Sequence, residues 1–182
     1  MIRLKTILEQ SSREEQVDSL LEKIKNKQFE RIGAGDNGIV YAIQGTDYVF
    51  KITRERDEFE VASVIVGRES EFTCFVPVVY VNDSEKMYIM HNADPLPQQY
   101  KTAIDNFYAR YTKFALEMQG EVSIFDYLDA EGSRETEKPL VDFLRRLQQQ
   151  VERTGIAEFD LDLDFKSDNV MIYQSKMVLV DW

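Results

Sequence analysis

Residues 29–43 read FERIGAGDNGIVYAI, and the spacing of three glycines within them decides the fold. Gly33, Gly35 and Gly38, with Val40 two positions beyond, form a G-x-G-x-x-G-x-V string. In a dinucleotide-binding fold such a string follows a strand and opens a helix. Here it lies between FERI and VYAI, two runs of strand-forming texture, and therefore reads as the tip of a β-hairpin. A tip without bulky side chains can lay backbone N–H groups over phosphate oxygens. Alone, the string is equally a glycine-rich turn that binds nothing.

Downstream the β-like texture continues in YVFKIT, FVPVVYV and MYIM, with turn formers at Gly45 to Asp47 and Asn82 to Glu85. One helix interrupts the series around Arg56 to Val66 and ends at Gly67. This pattern predicts an antiparallel sheet built from hairpins and carrying one helix. Lys51 stands among Val49, Phe50 and Ile52. It belongs either to the solvent face of an edge strand or to the interior, where it needs an anionic partner. Strand alternation puts it on the face of Val49, which favours the interior. Glu60 or Glu58 on the following helix could supply the carboxylate; both also fit a solvated helix face.

The opening stretch through Lys27 reads as a packing helix. Ser12 and Glu15 have capping-box spacing, and Val17, Leu20, Leu21 and Ile24 share a face. After Pro95 to Pro97 the periodicity is helical again, from Tyr100 to Gln119 and from Leu140 to Val151. Between these two helices AEGSRETEK is expected to be a mobile surface loop. The final section runs from the aspartate-rich EFDLDLDFKSDN into two short strands, VMIYQ and KMVLVDW, turning near Ser175.

A second constellation lies in that section. Asp164 is followed by Lys166 two positions on and Asn169 five on; a short apolar strand comes next, and Asp181 ends another. Phosphoryl transfer needs such parts: a carboxylate to take the proton of an attacking hydroxyl, a cation for the moving charge, and oxygen ligands for magnesium. The plain alternative is an acidic surface loop before a hairpin.

Together these motifs, in this order from Phe29 to Trp182, resemble the protein-kinase-like superfamily, and the short form is similar to bacteriophage-type (T7-like) protein kinases. The resemblance implies an α+β, bilobal fold. Residues 28–92 would form an antiparallel β-rich N-lobe with one helix, and residues 93–182 a truncated, mostly helical C-lobe, with 1–27 as a helical extension. It implies that Gly33, Gly35 and Gly38 cover the ATP phosphates, that Val40 is also part of the ATP site, and that Lys51 bridges the α- and β-phosphates. Glu60 would be the helix partner of Lys51, with Glu58 as second choice. Met90, His91 and Ala93 would form the hinge that meets adenine. Asp164 would be the catalytic base, Lys166 the cation beside the γ-phosphate, and Asn169 and Asp181 the Mg²⁺ ligands, with Asp168 near them. The family's His-Arg-Asp is here Asp162-Leu163-Asp164, without the arginine that answers a phosphorylated activation loop, and Asp-Phe-Gly is Asp181-Trp182, after which the sequence ends. The usual peptide-binding platform is therefore expected to be missing, and a homodimer or another partner is expected to cover the helical stripe.

Composition narrows the function classes. The 182 residues are 43% hydrophobic, enough for one core or two small lobes. A net charge of −11 disfavours nucleic acid and anionic membrane as partners. The single Cys74 and single His91 exclude an intrachain disulfide framework and a Cys/His zinc site. No signal-like or membrane-spanning apolar run occurs, so the expected location is the cytoplasm, that of the host if the protein is phage-encoded. The leading expectation is an ATP- and Mg²⁺-dependent kinase acting on protein Ser/Thr (or Tyr) hydroxyls, bacterial host proteins among them. The alternatives are a nucleotide-binding interaction module without turnover and an aminoglycoside-type small-molecule kinase.

Overall fold

A computed structural model describes residues 2–118, 122–132, 137–154 and 165–181, with side chains from residue 11 onward. The chain divides into two compact units, Met1–Gly67 with Val78–Asn92, and Arg68–Pro77 with Ala93–Trp182. The architecture is α+β.

The first unit is a five-stranded antiparallel sheet in the order β1-β2-β3-β5-β4. Its strands are β1 (Phe29–Gly35), β2 (Gly38–Ile43), β3 (Tyr48–Thr53), β4 (Val78–Asn82) and β5 (Met87–His91). Asp36 and Asn37 alone join β1 to β2, and Gly35 pairs with Gly38 across the turn. The glycine string is thus a hairpin tip. Gly38 is sterically required there, because a Cβ would lie 2.4 Å from the Ile52 carbonyl oxygen of β3.

Two helices serve this sheet. α1 (Ile2–Lys25) is continuous through Ser12, so the Ser12/Glu15 spacing does not start a helix. It ends with Lys27 left-handed (φ 57°), the Lys27 N–H bonding back to Ile24 and the Gln28 N–H to Lys23. Leu20 packs with Ile43, Phe50, Val79, Met87 and Ile89, and Leu21 and Ile24 close over the same cluster. Phe29, Tyr41 and Phe50 form an aromatic group there, with Tyr41 stacked on Phe50 at 4.8 Å. The last turns of α1 are therefore part of the first unit's core. Arg13 adds a bond from Nη2 to the Val79 carbonyl at 3.3 Å. α2 (Arg56–Ile65) buries Glu58, Phe59, Val61, Ala62 and Ile65, and the chain leaves it through Gly67 at φ 73°.

Among its described residues the second unit has three α-helices, α3 (Gln98–Met118), α4 (Ile124–Glu131) and α5 (Lys138–Thr154). Its sheet is β6 (Asp94–Pro95), β7 (Val170–Tyr173) and β8 (Lys176–Leu179), in that order and antiparallel. Residues 68–77, expected with the first sheet, belong here: β4 starts only at Val78, and Cys74 to Val76 run beside β8, bonded to both the N–H and the carbonyl of Leu179. α4 replaces the start of the expected surface loop; its N-terminus is a capping box between Ser123 and Asp126. Of AEGSRETEK, residues 133–136 lie outside the described residues. The apolar stripe of α5, Leu140, Phe143, Leu144, Leu147 and Val151, is fully buried. Among the described residues, no helix is long and apolar enough to cross a membrane.

Cys74 is 1% exposed, and burial pushes its thiol pKa up to about 11. Its contribution to stability is present below the ordinary thiol pKa and is lost as pH rises through about 11. In the folded protein at pH 8, iodoacetamide should label Cys74 only at the rate of unfolding; prompt labelling would contradict its burial. Truncation of Leu20 to Ala should cost about 2–4 kcal/mol in urea denaturation, whereas a peripheral α1 would give no measurable change.

Candidate functional site

The candidate residues fall into two groups, one on each unit. In the first, Lys51 sits at the centre of β3, opposite Val40 of β2 and Tyr88 of β5. Directly opposed residues of antiparallel strands share a face, so Val40, Lys51 and Tyr88 form a row across the sheet. Lys51 is 4% exposed and its Nζ lies 2.6 Å from Glu58 Oε1. The interior placement is the one that occurs. Glu58 is 2% exposed. Its Oε1 also accepts the Tyr88 hydroxyl, and its Oε2 the Thr53 hydroxyl at 2.7 Å.

This corrects the expected pairing. Glu60 is not the partner of Lys51; it binds exposed Arg56 at 2.6 Å, one turn back along α2. The reason is helical register. Glu58, Val61, Ala62 and Ile65 fall at i, i+3, i+4 and i+7 on the buried stripe, and Glu60 lies off it. The apolar residues of RDEFEVASVI carry that register, so the stripe is the signal that selects Glu58. Tyr88 and Thr53 were not anticipated, although alternation from Met90 puts Tyr88 on the same face.

The glycine tip is tied to the same group. The Asn37 carbonyl accepts the Arg54 N–H at 2.9 Å, and Thr53 Oγ1 lies 3.1 Å from it. Thr53 thus stands between the turn of the hairpin and the carboxylate of α2. Unlike Gly38, Gly35 has open space where a Cβ would be, and at Gly33 a Cβ would meet only Val40 in ordinary contact at 3.8 Å. Packing within the chain demands one of the three glycines.

The expected hinge straddles the division of the chain. Met90 is buried and pairs with Val49 and Val78. His91 pairs with Tyr48, and their rings lie 4.5 Å apart. The Asn92 N–H bonds to the Asp47 carbonyl at 2.8 Å. Ala93 opens the second unit's stretch, immediately before β6.

On the second unit, Phe165 is 1% exposed between Phe107 and Phe143 and anchors the segment that follows it. Lys166 is exposed and precedes a single 3-10 turn, Ser167–Asn169. Val170 pairs with Leu179, and the Asn169 carbonyl accepts the Val180 N–H at 3.0 Å. Asn169 and Asp181 therefore stand at the adjoining ends of β7 and β8. An amide oxygen and a carboxylate at neighbouring positions suit a hard cation such as Mg²⁺. Asp168 points away to solvent, 3.7 Å from Lys101. Asp164, the expected base, lies outside the described residues. Among the described residues, no group of three or more His, Cys, Asp or Glu side chains is placed to hold a metal.

No family model and no curated protein sequence matches the chain. Among solved structures, one similar chain is a choline/ethanolamine kinase family protein from Mesorhizobium loti, with 16% identity, a TM-score of 0.41, and coverage of 85% of this chain and 57% of that one. Another comes from the streptomycin–ATP–APH(2")-IIa ternary complex, with 14% identity, a TM-score of 0.38, and coverage of 92% and 69%. The chain thus spans little more than half the length of the first.

The register of α2 can be read from stability alone. Glu58→Gln leaves a buried ammonium without its counter-charge and should cost about 3–5 kcal/mol. Glu60→Gln breaks an exposed pair and should stay within about 1 kcal/mol of wild type. Equal losses in urea denaturation would refute the assignment.

Proposed function

We propose that the chain is an ATP- and Mg²⁺-dependent phosphotransferase, moving a γ-phosphoryl group to a hydroxyl, and that the acceptor is a Ser or Thr side chain of a protein. The observation that carries this reading is Lys51, a strand lysine held at 4% exposure by Glu58 and facing the row that starts at Val40 in the glycine hairpin. A buried lysine is costly unless its charge is used. Held by Glu58, with Tyr88 and Thr53 fixing that carboxylate, the ammonium is set at one height above the sheet. There it would meet phosphate oxygens while the backbone of the Gly33 to Gly38 tip covers them. The open space at Gly35 is consistent with close approach of a ligand to the backbone.

On the second unit, Asn169 and Asp181 would hold Mg²⁺. The ion, when bound, supplies charge neutralisation at the phosphate oxygens. Asp164 would accept the acceptor hydroxyl's proton as its oxygen bonds to the γ-phosphorus; the bond to the β-phosphate oxygen breaks and ADP leaves. Lys166 would stand beside the transferring group. The catalytic contribution is positioning and electrostatics, with no covalent enzyme intermediate.

The test is transfer of label from γ-labelled ATP with Mg²⁺, to the protein itself, to proteins of a bacterial lysate, and to choline and an aminoglycoside. Lys51→Ala and Asp164→Asn should each lower transfer by on the order of 10²-fold or more. Equal transfer by wild type and Asp164→Asn would sink the proposal. Labelling of the small molecules and of no protein would overturn the protein acceptor. Thermal stabilisation by Mg-ATP without transfer would replace catalysis with a nucleotide-binding interaction module.

A further inference from the structure

The chain carries 33 acidic against 22 basic residues, so a surface cation ordinarily has carboxylates close by. Along α5 the balance reverses. Arg146, Gln149, Gln150 and Arg153 recur at i, i+3, i+4 and i+7 and form a face turned away from the buried stripe. Two hollows of the second unit meet at Arg146. One, of about 650 Å³, lies between the first turns of α5, Tyr100 of α3, and Ser175 to Met177 at the β7–β8 turn. The other, of about 380 Å³, lies between the last turns of α5 and the segment from Arg68 to Thr73.

The walls are fixed before anything binds. Gln150 accepts the Cys74 N–H through Oε1 at 3.0 Å and donates to Thr73 Oγ1 at 2.8 Å, which holds residues 73 and 74 against α5. Arg68 is placed by Glu71 at 2.7 Å and lies over the Phe72 ring at 4.7 Å. The hollows carry five basic side chains, Arg68, Arg145, Arg146, Arg153 and Lys176, against the carboxylates Glu71 and Asp142. Arg145 is drawn off by Asp129. Arg146, Arg153 and Lys176 are exposed, and none of the three forms an ion pair among the described residues.

We infer that this groove is a docking site for an extended acidic segment of a partner protein. From Arg146 to Arg153 is seven helical residues, about 10 Å, which matches one three-residue turn of an extended polyproline II segment, about 9 Å, whose side chains at i and i+3 share a face. Carboxylates at i and i+3 of such a segment therefore meet the two guanidinium groups, each of which can take a carboxylate with paired N–H donors. Tyr100, Pro139, Ile172 and Met177 give the first hollow an apolar side, where one apolar residue of the segment inserts. Ionic screening over about 8 Å lets a ligand of this size sense the groove alone. A long polyanion reaches past it to a surface that is acidic overall.

The inference stands apart from the phosphotransfer reading, and its test needs neither nucleotide nor turnover. The probe is a fluorescein-labelled peptide, LSESSES, titrated with the full chain and followed by anisotropy. Saturable binding is expected, weakened at least about tenfold by Arg146→Glu with Arg153→Glu, and by a similar factor when the peptide is LSQSSQS. Lys176→Glu alone should weaken binding less, and Arg56→Glu, on the first unit, should not change it. Unchanged circular dichroism and melting temperature identify the folded variants. The inference fails if the doubly reversed protein binds like wild type, if the glutamine peptide binds equally well, or if wild type does not bind below about 1 mM. A DNA duplex that competes as strongly as the unlabelled peptide would also overturn it.

Discussion

The first unit depends on one buried carboxylate. Glu58 receives Lys51 from β3, the Tyr88 hydroxyl from β5 and the Thr53 hydroxyl from the end of β3, so three side chains from the sheet fix the rotation of α2. A buried ion pair adds little net stability compared with an apolar pair of the same shape. What it adds is definition, because a carboxylate with several donors has far fewer acceptable positions than a methyl group among methyl groups. Thr53 extends that definition to the hairpin, since it lies against both Glu58 and the carbonyl of Asn37. A cation fixed in height and a turn fixed in place are what a phosphate-binding surface needs.

The two faces of the first sheet are built on different principles. The face under α1 is aromatic and aliphatic, with Phe29, Tyr41 and Phe50 in contact and Leu20 inserted among Ile43, Met87 and Ile89. The face toward α2 holds Lys51 and Tyr88, and Phe59, Val61, Ala62 and Ile65 of α2 pack apolar surface around that charged centre. The second unit repeats this division in helical form: α5 gives its apolar stripe to the core around Phe143 and its arginines to the outside.

Much of this was legible in residue order. The hairpin tip at Gly33 to Gly38, the interior placement of Lys51, the helix ending at Gly67, and the turn near Ser175 all follow from local chemistry, the last realised with Gln174 and Ser175 both left-handed. Three features were obscured, each for a physical reason. α4 is only eight residues long, and its capping box uses Asp126 in place of the usual longer side chain. Cys74 to Val76 lead into strand β4 of the first unit but bond to Leu179 within the second, and such a long-range choice has no local signature. Glu60 and Glu58 have the same chemistry two residues apart, and only the stripe through Val61, Ala62 and Ile65 separates them. Asp164, expected from its spacing to Lys166 and Asn169, lies outside the described residues.

The division of the chain has a consequence for its assembly. Strand β5 lies between β3 and β4, and both late strands follow the excursion of residues 68–77 into the second unit. Until residue 91 has been synthesised, the inner edge of β3, including the backbone beside Lys51, has no strand to pair with. An exposed edge of this kind is the feature most prone to wrong pairing in a nascent chain. The charged centre of β3 thus also acts as a guard: a lysine in the middle of an open edge discourages a foreign strand from taking the place reserved for Tyr88 and its neighbours.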